Sequence, residues 1–150
     1  MLVHDLTPTE CREVLTRAHL ARLACSRADQ PYVVPVLYTY DPDSNSLFSF
    51  SAVGKKVEWM RENPRVCVEV EDVEDRFHWT TVIVIGRYHE IDDSAERKAL
   101  RDRALRLFQH RPEWWLPGGA KLEDREHHAV VVYRIEINHM TGRRATRDRV

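Results

Sequence analysis

The chain has few glycines, and none of them lies in a nucleotide-binding motif. Its 150 residues include five glycines. Neither the GxGxxG spacing of a dinucleotide-binding fold nor the GxxxxGK(S/T) spacing of a P-loop occurs. The GxSxG turn that presents a serine nucleophile in many hydrolases is missing as well. These absences exclude the standard phosphate-binding loops and leave no serine singled out as a nucleophile.

Cysteines are also few, and long apolar runs are missing. Cys11, Cys25 and Cys67 are odd in number and far apart, with no CxxC pair. We interpret them as small buried side chains in a reducing compartment. No apolar run approaches the roughly 20 residues that span a bilayer, and the N-terminal segment MLVHDLTPTE lacks the pattern of a signal peptide. We therefore expect a cytoplasmic protein without a membrane segment.

An excess of charge of one sign is missing too. The formal net charge is −1, so no basic field would attract nucleic acid. We interpret the one basic cluster, at the C-terminus, as a solvated tail. The eight histidines show no HExxH or similar spacing, so we expect no metal site. The basic cluster consists of Arg143, Arg144, Arg147 and Arg149.

Apolar alternation and turn residues predict a mainly β protein with a single domain, residues 1–150. About six strands and three helices, mostly in antiparallel order, exclude a doubly wound parallel sheet and favour a small antiparallel barrel with helical excursions. Thr7 and Glu10 predict a capping box at the first helix. The predicted strands cover 20–26, 32–40, 47–52, 66–70, 79–90 and 129–137, and the predicted helices cover 7–18, 55–63 and 94–109.

Two single residues and one apolar stripe refine this prediction. Pro35 lies inside an apolar strand, so that strand is at an edge, is interrupted, or faces a ligand. Gly86 predicts a bulge or bend in the long strand. The third helix is amphipathic, with a predicted inner stripe of Ala99, Leu100, Ala104, Leu107 and Phe108.

The segment from Ser49 to Lys56 carries the strongest chemical signal. A strand leads through Gly54 into a helix whose first turn holds Lys55 and Lys56. The Ser51 hydroxyl, the backbone N–H groups, the helix dipole and two ammonium groups together suit a phosphate. The alternative is that the two lysines are ordinary surface charge. The sequence therefore indicates a candidate phosphate site without deciding between these interpretations.

Two further segments contain aromatic side chains that could face a ligand. Trp114 and Trp115 are adjacent in a loop rich in proline and glycine, so one can anchor the loop while the other meets an aromatic ligand or a partner subunit. Anchoring by both is the alternative. Trp79, Thr80 and Thr81 begin the long strand, where the hydroxyls either bind a ligand or are ordinary strand threonines.

Taken in order, these segments resemble the pyridoxamine 5′-phosphate oxidase-like family of FMN-binding proteins, in particular its nitroimidazole-resistance branch. The segments that carry the resemblance are LARLACS, QPYVVPVLYTYD, LFSFSAVGKKVEWMRENPRVCVEV and WTTVIVIGRYHEI. The resemblance implies an antiparallel split β-barrel and a homodimer with FMN at the interface. It also implies cofactor-binding roles for Val34, Pro35, Val36, Phe50, Ser51, Lys55, Lys56, Trp79, Thr80, Thr81 and Trp115.

Within that resemblance, each group has an expected role. Val34, Pro35 and Val36 would line the isoalloxazine ring, Phe50 and Ser51 would follow the ribityl chain, and the two lysines would hold the phosphate. Trp79, Thr80 and Thr81 would contact the ring edge, and the loop with Trp115 would cover the ring from the second subunit.

The sequence also departs from the family at two places. Many relatives have histidine where Phe50 stands, and the C-terminal segment lacks the arginine-rich substrate site of the oxidase. We therefore expect an FMN-dependent oxidoreductase that acts on a small, aromatic or nitro-bearing molecule, and not pyridoxamine-phosphate oxidase activity. The alternatives are a non-catalytic flavin-binding protein for storage or sensing, or a relative that binds deazaflavin F420 or haem on the same fold.

Overall fold

The computed structural model describes residues 1–109 and 130–147. Eight antiparallel strands and three helices make up this part of the chain. The strands are β1 (Leu2–Asp5), β2 (Leu20–Arg27), β3 (Gln30–Leu37), β4 (Thr39–Asp41), β5 (Ser46–Ala52), β6 (Arg65–Val73), β7 (Trp79–Ile91) and β8 (Val130–Thr146). The helices are α1 (Pro8–Arg17), α2 (Lys55–Glu62) and α3 (Lys98–Gln109).

The strands form one sheet in the order β3-β2-β6-β7-β8-β5-β4, and β1 pairs with β8. The two ends of the sheet approach each other, because the Ser49 hydroxyl of β5 donates to the Leu37 carbonyl at the end of β3 at 2.7 Å. The sheet does not close by strand pairing between β3 and β4, the strands at its two ends. The predicted mainly antiparallel split barrel is therefore confirmed.

The barrel interior is filled from alternate positions of the strands. Leu23, Val68 and Val84 are opposite one another on β2, β6 and β7, and all three are buried. Trp59 and Met60 of α2 join this core. A second, smaller core lies beneath α3 and consists of Phe48, Ile91, Ala104 and Val132.

Several local predictions are confirmed. Thr7 and Glu10 form the predicted capping box at α1, with the Glu10 amide donating to the Thr7 hydroxyl and the Thr7 amide donating to the Glu10 carboxylate. Pro35 lies on β3, at one end of the sheet, where its missing N–H costs no interior ladder bond. A register shift between β7 and β8 lies at Gly86, and a Cβ there would meet the Glu136 carbonyl oxygen at 2.6 Å.

Other predictions need correction, and the reason is mainly long-range pairing. The sequence did not indicate β1, which gains its partners only from β8. The segment 32–40 is divided at Tyr38 into β3 and β4. The predicted tail is wrong for Arg143 and Arg144, because β8 continues through both and pairs with β1 and β7, although the Arg143 side chain is exposed as predicted.

The third helix also differs from its prediction. It begins at Lys98 instead of Ser94. Ala99 is exposed, so it does not belong to the inner stripe. Ala104 is buried, and Leu100, Leu107 and Phe108 pack against the second core as predicted.

A buried carboxylate anchors α3 to the β4–β5 turn. Asp41 is 1% exposed and accepts two hydrogen bonds from Arg103, at 3.1 and 2.7 Å. The Ser44 backbone amide and hydroxyl donate to the same carboxylate. Burial raises the pKa of Asp41, but the hydrogen bonds from Arg103 and Ser44 outweigh it and hold the pKa below its usual value. The Asp41 carboxylate is therefore ionised in its ion pair with Arg103.

We predict that Arg103→Ala lowers the free energy of unfolding at pH 7 by about 1.5–3 kcal/mol, because it leaves a buried carboxylate short of a charged donor. A depressed folded-state pKa stabilises the fold above the unfolded pKa, and this contribution is lost as the pH falls through the folded pKa. The difference in free energy of unfolding between wild type and Arg103→Ala should therefore become smaller at acidic pH. Urea unfolding at several pH values measures it. Arg106→Ala, on the same helix, is the control and should change stability little.

Candidate functional site

The start of α2 has backbone N–H donors that no side chain caps. Gly54 is the N-cap residue in extended backbone, and no side chain caps the helix. The first amides of a helix have no acceptor within the helix. A Cβ on Gly54 would meet no atom within 4 Å, so the space beside Gly54 itself is free of the described residues. A helix start of this kind favours an anion.

Lys56 adds a partly buried positive charge to this helix start. Its side chain is half-buried, and burial lowers the pKa of Lys56, an effect that the nearby Cys25 only partly opposes. Within residues 1–109 and 130–147, no carboxylate forms an ion pair with Lys56. Burying a charge without a counter-ion is unfavourable. An anionic ligand at this position would supply the missing charge.

Lys55 lies in different surroundings. Its side chain is exposed, and its Nζ lies 4.6 Å from the ring centre of Tyr32 and 4.8 Å from that of Trp59. Arg27 also stacks on Trp59, at 4.9 Å. The two adjacent lysines, both predicted to hold the phosphate, therefore present their charges to different neighbours.

The end of β5 leads into this region. The Ser51 hydroxyl donates to the Ala52 carbonyl at 2.7 Å, which leaves its oxygen able to accept one more hydrogen bond. The Phe50 ring contacts Phe108 of α3 edge-on, with 4.6 Å between ring centres. Phe50 is therefore a contact between the strand and α3, in addition to its predicted role beside the ribityl chain.

The three predicted ring-lining residues lie on the edge strand β3 and alternate in direction. Val34 and Val36 pack against the main core. Pro35 is exposed on the opposite face. Since β3 pairs only with β2 among the described strands, the backbone groups on its other side are available to a ligand. This arrangement agrees with a role for the backbone of β3, and it leaves the ring contact as a prediction.

Trp79, Thr80 and Thr81 also alternate between the two faces. Thr80 is buried, and its hydroxyl accepts a long hydrogen bond of 3.5 Å from Arg144. Trp79 and Thr81 are on the outer face and half-buried. Arg144 in turn donates to Glu10 at 3.4 Å. The two threonine hydroxyls therefore do not point to one common ligand position within a chain.

The predicted ring-edge residues are also distant from the lysines along the sheet. Lys56 lies near Cys25, and the adjacent Ala24 is opposite Cys67 on β6. Thr80 is opposite Asp72 on the same strand. Five residues of strand separate these positions, which corresponds to roughly 16 Å. Trp115 lies outside the described residues.

Four side chains around the helix start escaped the sequence prediction: Cys25, Arg27, Tyr32 and Trp59. All of them contact α2 or belong to it, and three come from the β2–β3 hairpin. The turn at Ala28 and Asp29, both with positive φ, lies between the two strands that the sequence predicts at 20–26 and 32–40. What the sequence did not indicate is that this hairpin packs against α2.

Comparison with known proteins supports a family relationship over almost the whole chain. A family model described as pyridoxamine 5′-phosphate oxidase matches residues 7–144. A protein of Rhizobium meliloti, described as uncharacterized, is 38% identical over 148 residues, or 97% of each chain. The structure of a FAD-binding protein from Mesorhizobium loti is 40% identical with a TM-score of 0.80, and the match covers 98% of this chain and 99% of that one.

More distant structures share the fold alone. A FAD-binding protein from Mycobacterium smegmatis is 19% identical with a TM-score of 0.65, over 93% of this chain and 98% of that one. A protein from Bacteroides thetaiotaomicron, described as a proposed 5-nitroimidazole antibiotic resistance protein, is 18% identical with a TM-score of 0.64, over 95% and 89% of the two chains.

Proposed function

Because the chain belongs to the pyridoxamine 5′-phosphate oxidase family, we propose that it is a flavoprotein that binds the phosphate of FMN at the start of α2. The observation that carries this proposal is Lys56, a half-buried residue with no carboxylate partner among the described residues, in the first turn of a helix that no side chain caps. A phosphate would accept hydrogen bonds from Lys56 and from the helix amides and neutralise the buried charge.

The choice of FMN over FAD rests on the sequence. The chain has no glycine-rich dinucleotide loop, and one phosphate is enough to occupy the helix start. The Mesorhizobium loti relative is named a FAD-binding protein, so FAD is the competing ligand to test. Both flavins carry the same riboflavin phosphate unit, and the α2 site would bind that unit in either case.

The remaining residues of the site would orient the ring. In this proposal the exposed edge of β3, from Val34 to Val36, presents backbone groups to the isoalloxazine, and Ser51 accepts or donates a hydrogen bond along the ribityl chain. A bound flavin supplies hydride and electron transfer, and the protein binds and orients it. We propose an oxidoreductase that acts on a small aromatic or nitro-bearing molecule, in the cytoplasm, as the cysteine content suggests.

The outer face of the sheet suits a second copy of the chain. Val33, Ala24, Cys67 and Ile85 are successive partners across four strands, and their side chains lie on this face. Val33 is 58% exposed and Ile85 is 49% exposed. Ala24 and Cys67 between them are half-buried. Exposed apolar surface of this kind is typical of an interface. Trp79 and Thr81 lie on the same face, so a homodimer through this face would bring a second chain's β7 toward the flavin.

Among the described residues, no helix is long and apolar enough to cross a membrane.

We predict that the protein binds FMN more tightly than FAD, and that Lys56→Ala weakens FMN binding by roughly ten- to a hundredfold because a charge-assisted hydrogen bond is lost. Riboflavin has no phosphate, so its affinity should be almost unchanged by the substitution. Titration of apoprotein, followed by flavin fluorescence, measures all three ligands. Lys98→Ala on α3 is the control. Equal loss for riboflavin would contradict the phosphate site, and tighter binding of FAD would contradict the choice of FMN.

We predict that the FMN-loaded protein oxidises reduced nicotinamide with a nitroaromatic acceptor in repeated turnovers. The absorbance of the nicotinamide at a fixed enzyme concentration measures the rate, and heat-denatured protein with free FMN is the control. A flavin that binds tightly but gives only a single reduction would instead favour storage or sensing, the non-catalytic alternative. A haem Soret band, or uptake of F420 in preference to FMN, would contradict the cofactor itself.

We predict that Ile85→Asp converts a dimer into monomers and weakens FMN binding, because it places a charge at the exposed β7 end of the apolar row. Leu105→Asp is a matched control, since Leu105 on α3 is similarly exposed, at 43%. Sedimentation equilibrium gives the mass, and fluorescence titration gives the affinity. An Ile85→Asp protein that remains dimeric would show that the interface lies on another face.

A further inference from the structure

Three contacts between α2 and the β2–β3 hairpin lie along the length of the helix. At the C-terminal end, Asn63 donates from Nδ2 to the backbone oxygen and the hydroxyl of Ser26, at 3.2 and 3.1 Å. In the middle, Arg27 stacks on Trp59. At the N-terminal end, beside the proposed phosphate site, the contact is made by Lys55.

The contact at the N-terminal end joins the helix to the edge strand. The Lys55 ammonium group lies against the ring of Tyr32, which belongs to β3, and against the ring of Trp59, which belongs to α2. The two rings are themselves in contact, with 5.6 Å between centres at a tilt of 59°. Cations at such distances from aromatic faces are attracted to them. One ammonium group therefore connects α2 to β3.

The contact with α2 can stabilise β3, because β3 is an edge strand. Among the described strands, β3 pairs only with β2, so its other side has no ladder bonds. Strand ends and edges of this kind open more readily than central strands. Tyr32 lies three residues before Pro35. Pro35 is the middle residue of the segment from Val34 to Val36, which is proposed to face the flavin ring. The position of Tyr32 therefore influences the strand that the ring would contact.

We propose that Lys55 is a positioning residue that clamps β3 to α2, and that it is not a phosphate ligand. This inference rests on the proposed flavin site. Lys56 holds the phosphate, whereas Lys55 orders the strand that faces the ring. The two adjacent lysines thus serve opposite ends of one cofactor, because successive residues on a helix point about 100° apart.

The two roles make different predictions for ligands with and without a phosphate. Loss of the clamp loosens the ring-facing strand, so Lys55→Met should weaken FMN and riboflavin by the same factor, about three- to tenfold. Lys56→Ala should weaken FMN alone. Lys55→Arg keeps a cation over the rings and should restore both affinities. A fall in FMN affinity with no change for riboflavin would make Lys55 a phosphate ligand and overturn the proposal.

Tyr32 supplies a matched pair of variants. Tyr32→Leu removes the aromatic face and its contact with Trp59, so its loss should be at least as large as that of Lys55→Met. Tyr32→Phe keeps the face and should bind both flavins normally. The double variant Lys55→Met with Tyr32→Leu should lose less affinity than the sum of the two single losses, because both variants remove the contact between Lys55 and Tyr32. Additive losses would overturn the clamp.

Hydrogen exchange of the apoprotein separates this inference from the proposed function. In the absence of any flavin, the amides of β3 should exchange about three- to tenfold faster in Lys55→Met than in wild type or Lys55→Arg, while those of the central strand β7 should be unchanged. If the wild type binds no flavin but this difference in exchange rate is found, the clamp is supported and the proposed flavin site is wrong. Equal exchange of β3 in all three proteins would overturn the clamp.

Discussion

The alternation of side chains between the two faces of the antiparallel sheet is the constraint on which the rest of the structure depends. Val34, Leu23, Val68 and Val84 form a row across four strands inside the barrel. The next row, one residue along, is the outer row of Val33, Ala24, Cys67 and Ile85, which is exposed at its two ends. A slip of one residue would exchange the core for the proposed dimer face. The same register therefore specifies both the core and the surface available to a partner.

Helix α2 transmits this constraint to the candidate site. Its buried residues Val57, Trp59 and Met60 hold the helix on the barrel, so the two lysines at its start cannot both face water. Lys56 is turned inward far enough for burial to depress its pKa, and Lys55 is turned toward the aromatic rings. The chemical difference between two identical neighbours thus comes from the direction in which the helix packs.

The family resemblance and the structure agree on the fold and differ in how they treat the site. The resemblance assigns all the predicted residues to one cofactor. The structure places Lys55 beside Tyr32 of β3 and Lys56 beside Cys25 of β2, and it leaves Thr80 buried and bonded to Arg144. A ligand shared by two chains would reconcile the two views, because Trp79 and Thr81 lie on the apolar outer face.

The sequence alone determined the features that depend on neighbours in the chain. These include the Thr7 capping box and the irregularity at Gly86. Pro35 limited its strand to an edge, an interruption or a position facing a ligand, and the sheet order decided for the edge. The candidate phosphate segment was also visible, because its strand, glycine and lysines are consecutive. The sequence did not show that Lys55 and Lys56 have different neighbours.

Only the tertiary structure decided the features that join distant segments. β1 became a strand because β8 offers it a partner more than 130 residues away, and Arg143 and Arg144 became strand residues for the same reason. The clamp of Lys55 between Tyr32 and Trp59 and the anchoring of Arg103 to Asp41 likewise bring together parts of the chain that carry no local signal of each other. Local propensity acts over a few residues, whereas these contacts arise only when the barrel curls and places its edges beside the helices.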